Sequence, residues 1–203
     1  MSNIIKLSET NYQYAISRIE TKIKLPGSFI LAPTETVYGL MCLWNNQQAR
    51  DNIYKAKNRP ENKPFQMLAS NISMIEEFGG IITPAIKCII DSFCPGPMTL
   101  IIPEKNGEKL GFRIPDHNFI LNLINSIDTP LAATSANVSG DAPALKIDDA
   151  LNSLHLQPDL SIDGGELPSN SLPSTVAMIE NDNITILREG LISLKDINTC
   201  LGK

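Results

Sequence analysis

Apolar residues recur along this chain at two spacings, one typical of helices and one typical of strands. Segments with apolar positions at helical spacing, or with a capping residue or proline at their start, predict α-helices. These segments are residues 8–24, 45–58, 70–78, 83–93, 117–127, 146–154 and 193–201. The first helix is expected to begin at Ser8 or Thr10. Its expected core positions are Tyr14, Ile16, Ile19 and Ile23.

Shorter apolar runs bounded by turn residues predict β-strands. These runs are residues 27–33, 63–70, 98–103, 111–115, 130–136, 160–165, 174–180 and 184–190. Polar turns at 104–109 and 181–183 join neighbouring strands, whereas helices separate most of the others. This order predicts an α/β fold with a mixed parallel and antiparallel sheet and flanking helices, rather than a fully parallel doubly wound sheet.

A single domain over residues 1–203 is expected from the length of the chain. The sequence contains neither an internal repeat nor a low-complexity tract. Residues 164–174 are rich in Gly, Pro and Ser, but too few residues follow them to form a second stable domain. We therefore expect this segment to be a mobile loop over a site.

Composition narrows the class of protein and the kinds of site. Apolar residues make up 42% of the chain and charged residues 19%, as in globular proteins. No apolar run reaches the about 18 residues of a membrane span, and the N-terminus lacks a signal-peptide pattern, so we expect a cytoplasmic protein without membrane contacts. Four cysteines without paired spacing and two histidines argue against a zinc site and predict buried, reduced thiols.

Polar and cationic side chains follow several predicted strands. They are Thr34, Glu35, Thr36, Arg113, Thr134, Ser135, Asn137 and Arg188, with Lys55, Lys57, Arg59 and Lys63 around Pro60. Ligands of open α/β sheets bind beyond the strand ends, so these residues predict a polar cleft with several cations. The net charge of -5 argues against a broad nucleic-acid surface but is compatible with a local basic cleft.

Each of these clusters also has a purely structural interpretation. Residues 34–36 could form an ordinary loop, and the cations near Pro60 could be a solvated helix end. Residues 134–140 could cap and turn the chain, and Arg113 could face solvent from its strand. His117 is typical of a helix start rather than of a catalytic base. The sequence pattern alone leaves these alternatives open.

Several catalytic motifs are absent from the sequence. There is no GxxxxGK[ST] phosphate loop, no GxGxxG and no GxSxG nucleophile elbow. No close acidic pair suggests glycosidase chemistry, since Asp148 and Asp149 lie in a predicted helix and are expected to face solvent. Chemistry in the cleft would then depend on positioning and on cationic charge, as in phosphoryl or nucleotidyl transfer.

An ordered set of motifs resembles the YrdC-type threonylcarbamoyl-AMP synthase family. The motifs are PTETVYGL, KNRP, KPF, PGPMTLI, FRIPDH, TSANVSG, STV and LREG, and together they cover nearly the whole chain. The resemblance implies a twisted mixed sheet that lines a concave basic cleft. It also implies a nucleotidyltransferase that makes threonylcarbamoyl-AMP and pyrophosphate from L-threonine, bicarbonate and ATP, for threonylcarbamoyladenosine at position 37 of tRNAs.

The resemblance also implies roles for individual residues. Lys57 and Arg59 would be catalytic, offsetting charge on the departing pyrophosphate. The residues implied for ATP are Arg59, Lys63, Ser135, Asn137 and Arg188. The residues implied for threonine or its carbamoyl group are Thr36, Arg113 and Ser174. Mg²⁺ would enter with ATP rather than at a metal site of the protein, and tRNA or later tRNA-modification proteins would be further partners.

The sequence departs from the family pattern in places. It ends shortly after LREG, as in a short form of the family, and has PFQML where longer members carry a histidine after the strand. Cys94 precedes PGPMT where an aromatic residue is usual. The alternative to a synthase is a non-catalytic paralog that binds structured RNA in its basic cleft. Glu35 has no role in the resemblance.

Overall fold

The computed structural model describes residues 3–58, 63–138, 140–181 and 183–203. The strands are β1 (Ile4–Lys6), β2 (Ile30–Ala32), β3 (Gly39–Leu43), β4 (Gln66–Leu68), β5 (Met98–Pro103), β6 (Lys109–Arg113), β7 (Leu131–Ser135), β8 (Leu160–Asp163), β9 (Thr175–Glu180) and β10 (Asn183–Arg188). The helices are α1 (Tyr12–Ile23), α2 (Gln47–Ala56), α3 (Ile72–Glu77), α4 (Pro84–Phe93), α5 (Asn118–Ile127), α6 (Ile147–Ser153) and α7 (Leu194–Cys200).

All of these strands join one sheet in the order β1-β8-β2-β3-β7-β4-β6-β5-β9-β10. Four neighbouring pairs are parallel, namely β1 with β8, β2 with β8, β4 with β6, and β5 with β9. The remaining pairs are antiparallel. The mixed sheet with flanking helices that the sequence predicted is confirmed.

The two faces of the sheet are covered unequally. The first core contains buried residues of α1, α3, α4, α5 and α7 together with side chains from strands along most of the sheet. The second core, which includes Leu31, Leu40 and Ile53, lies between α2, α6 and the strands β2, β3 and β7. Paired residues of neighbouring strands point to the same face, so the register places Leu40 on one face and Gln66 on the other. The face that carries Gln66 is open over β4, β6, β5 and β9. We call it the cleft face and this part its open half, and we call the part of the opposite face under α2 and α6 the covered half.

Helix starts and two short strands differ from the sequence prediction. Helix α1 begins after Asn11, whose side chain accepts a hydrogen bond from the Tyr14 amide, rather than at Ser8 or Thr10. Tyr14 is 49% exposed, so its predicted place in the core is wrong, because Ala15 and not Tyr14 lies on the buried side of the helix. Strands β1 and β3 were not predicted, since β1 has three residues and β3 follows directly on a polar turn.

The structure also bears on the predicted exposure of two acidic residues and the predicted burial of the cysteines. Asp148 and Asp149 are exposed on α6, as predicted. All four cysteines are free thiols, but only Cys42 is buried and the other three are half-buried. Within the described part of the chain, no helix is long and apolar enough to span a bilayer. The mobility of residues 164–174, which connect β8 to β9, stays a prediction.

Candidate functional site

A cavity of about 930 Å³ lies over the open half of the cleft face. Alternate residues of a strand point to opposite faces, so one set of positions in β4, β6, β5 and β9 packs into the core and the other set lines the cavity. The lining set is Gln66, Thr99, Ile101, Gly111, Arg113, Val176 and Met178. The cavity floor is therefore a direct product of strand alternation, with polar residues placed among apolar ones.

Arg113 is the most deeply buried cation of this floor, with 2% of its surface exposed. Its Nη1 donates to Thr36 Oγ1 at 2.9 Å, and its Nη2 donates to Glu35 Oε2 at 3.2 Å. Burial lowers the pKa of Arg113, and the Glu35 carboxylate opposes that shift. The outward-facing alternative for Arg113 is therefore wrong. Its strand does place it on the face opposite Phe112, but that face carries the cavity.

The turn before β3 places Thr36 beside Arg113. The Thr34 hydroxyl accepts from the backbone amides of Thr36 and Val37, both at 3.2 Å, and donates to the Val37 carbonyl at 2.8 Å. Such a side-chain turn is a usual role of threonine. The Thr36 hydroxyl lies 2.9 Å from Thr34 Oγ1 and lines the cavity. Residues 34–36 therefore form an ordered wall of the cleft as well as a turn.

A second polar chain crosses the floor from β4 to β10. Thr99 Oγ1 donates to Gln66 Oε1 at 2.9 Å and lies 2.8 Å from Ser174 Oγ. Because the single Thr99 proton is used on Gln66, Ser174 donates to Thr99. Arg188 in turn donates from Nε to the Ser174 carbonyl and from Nη2 to Ser174 Oγ, both at 3.0 Å. Ser174 is thus fixed in orientation from two sides.

Gln66 and Thr99 were not assigned a role from the sequence. The available signal was a polar residue at the cavity-facing position of an otherwise apolar strand, as in the MTLIIP segment of β5. Thr99 is only 4% exposed, which is uncommon for a threonine in a strand unless its hydroxyl is paired.

The residues predicted for ATP are only partly brought together around the cavity. Ser135 and Arg188 line it. Lys57 is 1% exposed, and its ammonium donates to the Ser135 carbonyl, so it supports the end of β7 from behind. Lys63 is exposed, and its carbonyl accepts from the Tyr54 hydroxyl at 3.0 Å. Arg59 lies outside the described residues.

Asn137 lies in the turn that follows β7. Its Nδ2 donates to the carbonyls of Val138 and Asp141, at 2.9 and 2.8 Å. This is the structural role that the turn interpretation assigned to residues 134–140. Its Oδ1 is buried without a hydrogen-bond partner among the described residues. An unpaired buried acceptor is costly, so it marks a position where a donor from a ligand would fit.

Helix α2 supplies a second wall that sequence reasoning missed. Residues Gln47, Arg50, Asp51 and Tyr54 are spaced along one side of the helix and line the cavity, while Ala49 and Ile53 enter the core. The Arg50 guanidinium lies over the Trp44 ring, 4.3 Å from its centroid, a cation–π contact. The helical pattern predicted α2, but only its packing shows that its polar side faces the cleft.

The charge of the cavity lining is mixed. Its cations among the described residues are Arg50, Lys109, Arg113 and Arg188, and its carboxylates are Asp51, Glu104 and Glu108. No group of three or more metal-binding side chains comes together in the described ranges.

His117 begins α5, as the sequence predicted, but makes no side-chain capping bond. Its Nδ1 is buried without a hydrogen-bond partner among the described residues. Desolvation and the nearby Arg113 lower the pKa of His117, which favours its neutral form. It is not part of the cavity lining.

Comparisons with known proteins identify relatives of this chain. The family model Sua5_yciO_yrdC, described as telomere recombination, matches residues 23–190. A Methanocaldococcus jannaschii protein is 34% identical over 98% of both chains. The threonylcarbamoyl-AMP synthase of Bacillus subtilis is also 34% identical, over 84% of this chain and 52% of its own length.

A solved structure provides the corresponding comparison of folds. Pyrococcus abyssi Sua5 complexed with L-threonine aligns with a TM-score of 0.87 and 26% identity, over 98% of this chain and 61% of that one. The chain thus spans nearly all of the Methanocaldococcus relative but only about half to three fifths of the longer relatives. On the family match and these similarities, the chain belongs to the Sua5/YciO/YrdC family.

Proposed function

We propose that this chain is an L-threonylcarbamoyladenylate synthase, a nucleotidyltransferase that makes threonylcarbamoyl-AMP and pyrophosphate from L-threonine, bicarbonate and ATP. The product would serve threonylcarbamoyladenosine formation at position 37 of tRNAs. The observation that carries the proposal is the pairing of Arg113 with Thr36 on the floor of the cleft. A buried guanidinium beside a small hydroxyl is suited to an amino-acid carboxylate with a polar side chain.

The threonine site would lie between the Arg113–Thr36 pair and the polar chain that links Thr99, Ser174 and Arg188. Arg113 would bind the carboxylate, and the hydroxyls of Thr36 and Ser174 would contact the polar groups of threonine or of its carbamoyl group. Because Arg188 and Thr99 fix the Ser174 hydroxyl, little side-chain entropy would be lost on binding. The similarity to a Sua5 complexed with L-threonine supports this placement.

ATP would extend from Ser135 and Asn137 towards the cations that follow α2. The unpaired Asn137 Oδ1 would accept from a donor of the nucleotide. Arg59, Lys63 and Arg188 would contact the phosphates, and Lys57 would act on the leaving group or hold the Ser135 backbone in place. Mg²⁺ bound to ATP would neutralise phosphate charge.

The reaction would form one C–N and one P–O bond. The threonine amine attacks carbon dioxide derived from bicarbonate and loses a proton, which gives a carbamate. A carbamate oxygen then attacks the α-phosphorus of ATP, and the bond to pyrophosphate breaks. The chain's own contribution would be to hold the carbamate in line with the α-phosphorus and to place cations where negative charge develops.

A product assay tests the proposal directly. The purified chain is incubated with threonine, bicarbonate, ATP and Mg²⁺, and pyrophosphate and threonylcarbamoyl-AMP are measured by coupled assay and mass spectrometry. We expect both products in equal amounts, and neither when threonine or bicarbonate is omitted. Pyrophosphate release without dependence on threonine would contradict the assignment. Absence of product together with tight binding of structured RNA would favour the non-catalytic alternative.

A further inference from the structure

Two cysteines that are far apart in the sequence meet where α4 and α7 pack against each other. Cys88 lies within α4, and Cys200 is the last residue of α7. Their Sγ atoms are 3.6 Å apart, and Cys88 Sγ is also 3.0 Å from the Cys200 carbonyl oxygen. Both residues are half-buried rather than enclosed in the core. The pair is therefore close together and within reach of small reagents.

The local structure allows the two sulfurs to come closer. A disulfide needs a sulfur separation of about 2.05 Å, so an approach of about 1.5 Å from the present 3.6 Å is required. Cys88 is held in the middle of α4, whereas Cys200 is the last residue of α7, and Gly202 leaves the helical conformation at φ +69°. The end of α7 can therefore supply the movement without disturbing the sheet.

We propose that Cys88 and Cys200 are a reversible modification site that forms a disulfide by exchange with a low-molecular-weight disulfide. One cysteine thiolate attacks the small disulfide, which gives a mixed disulfide and releases one small thiol. The other cysteine attacks the protein sulfur of that mixed disulfide, the Cys88–Cys200 bond forms, and the second small thiol leaves. Two protein thiols are oxidised, one small disulfide is reduced to two thiols, and the protein protons pass to the leaving groups.

The cross-link would fasten α7 to α4. It joins residues 112 positions apart, and α7 is the element that follows β10, whose last residue is Arg188. Neither cysteine lines the cavity, so the bond would leave the cavity open. Its expected effect is a more stable attachment of α7 in both free and ligand-bound protein.

The rate of bond formation has a predictable pH dependence. Burial and the neighbouring Cys88 sulfur raise the pKa of the Cys200 thiol, and the Ser92 hydroxyl acts in the opposite direction. Because the thiolate is the attacking species, exchange at Cys200 should become faster as the pH rises above neutral.

The test uses the full chain in mixtures of oxidised and reduced glutathione of increasing oxidising strength. After alkylation and digestion, we expect a peptide linked through Cys88 and Cys200, and an intact mass lower by two hydrogen atoms. Excess reduced glutathione should restore both thiols. The oxidised protein should melt about 5 °C or more above the reduced protein.

Variants separate this site from the other cysteines. C88S and C200S should each abolish the linked peptide and the thermal shift, whereas C94S should retain both. Full alkylation of Cys88 and Cys200 at every glutathione ratio would overturn the proposal. So would accumulation of mixed glutathione disulfides that do not close, or an equal thermal shift in C88S. None of these readouts depends on the proposed synthase activity.

Discussion

The covered half of the sheet and the open half of the cleft face use the same strand alternation for opposite purposes. In the covered half, the positions that point towards α2 and α6 are apolar, and Leu31, Leu40 and Cys42 pack there. In the open half, the positions that point to the cleft include Gln66, Thr99 and Arg113. The two halves therefore differ in side-chain chemistry and in helix coverage, while the backbone pattern is shared.

The difference separates residues that mainly stabilise the fold from residues that are placed to bind a ligand. An apolar side chain buried under a helix stabilises the fold by about 1.5–3 kcal/mol. A buried guanidinium has to be compensated by partners, and Arg113 obtains these from Thr36 and Glu35. This arrangement contributes little net stability, but it presents fixed donors to a ligand. Mutations in the two halves should accordingly affect different measurements.

The largest expected effect is on stability, in the covered half. Leu40→Ala removes a fully buried side chain and should lower the free energy of unfolding by about 3 kcal/mol. Activity per folded molecule should be unchanged, because Leu40 does not line the cavity. Ile101→Ala is the matched variant in the open half, and it should cost about 1 kcal/mol because Ile101 is only half-buried. Equal losses in urea unfolding would remove the distinction between the halves.

Arg113→Met should mainly affect activity. Loss of the guanidinium should lower kcat/KM for threonine roughly 100-fold, which corresponds to about 2.7 kcal/mol. It also leaves the Glu35 carboxylate without its cation and should destabilise the fold. Adding Glu35→Gln should recover stability in urea unfolding without recovering activity. Recovery of activity in the double variant would mean that Arg113 does not bind substrate.

Arg18→Met is a control for the Arg113→Met single variant and for its combination with Glu35→Gln. Arg18 lies on α1, outside the cavity lining, and contacts the Tyr14 ring and hydroxyl. Neither the kinetic constants nor the unfolding midpoint should change appreciably, since exposed pairs contribute about 0–1 kcal/mol.

Thr99→Val tests whether the second polar chain matters for function rather than for folding. Valine keeps the shape but removes the hydrogen bonds to Ser174 and Gln66. We expect kcat/KM to fall about 10-fold, with a change in unfolding free energy below about 1 kcal/mol. Thr185→Val on β10 is exposed and should leave both quantities unchanged. A large loss of stability with normal kinetics would make Thr99 a core residue only.

The fold could be predicted well from the sequence, because long helices and apolar strands carry their own periodicity. Helix α4 shows this, since its Thr83 cap, its first-turn Pro84 and its buried isoleucines are all visible in the sequence. Strand β3 was missed, because its five residues follow a polar turn and have no alternating pattern. Its place in the sheet depends on pairing with β2, which is joined to it through that turn, and with β7, which is distant in sequence.

The candidate site was predicted unevenly. Thr36, Arg113, Ser135, Ser174 and Arg188 do line one cavity, and they belong to motifs at strand ends. Glu35 could not be assigned, because its pairing with the buried Arg113 depends on the turn geometry. The wall formed by α2 could not be predicted, since an exposed polar helix side looks the same in a sequence whether it faces solvent or a cleft.

The smallest expected effect is a pH dependence at His117, whose half-buried ring lies near the Arg113 guanidinium. The lowered pKa means that the unfolded chain binds a proton near pH 6.5 while the folded chain stays neutral until a lower pH. The unfolded state then binds more protons, so the free energy of unfolding falls as the pH drops below about 7.

His117→Asn should make that pH dependence shallower, by up to about 1 kcal/mol between pH 7 and 5.5 in urea unfolding. His155→Asn, at an exposed histidine, is measured in parallel as the matched substitution. An unchanged slope in His117→Asn would mean that the His117 ring takes up a proton in the folded protein despite the nearby Arg113. A second positive charge would then be tolerated beside Arg113 at a position outside the cavity lining.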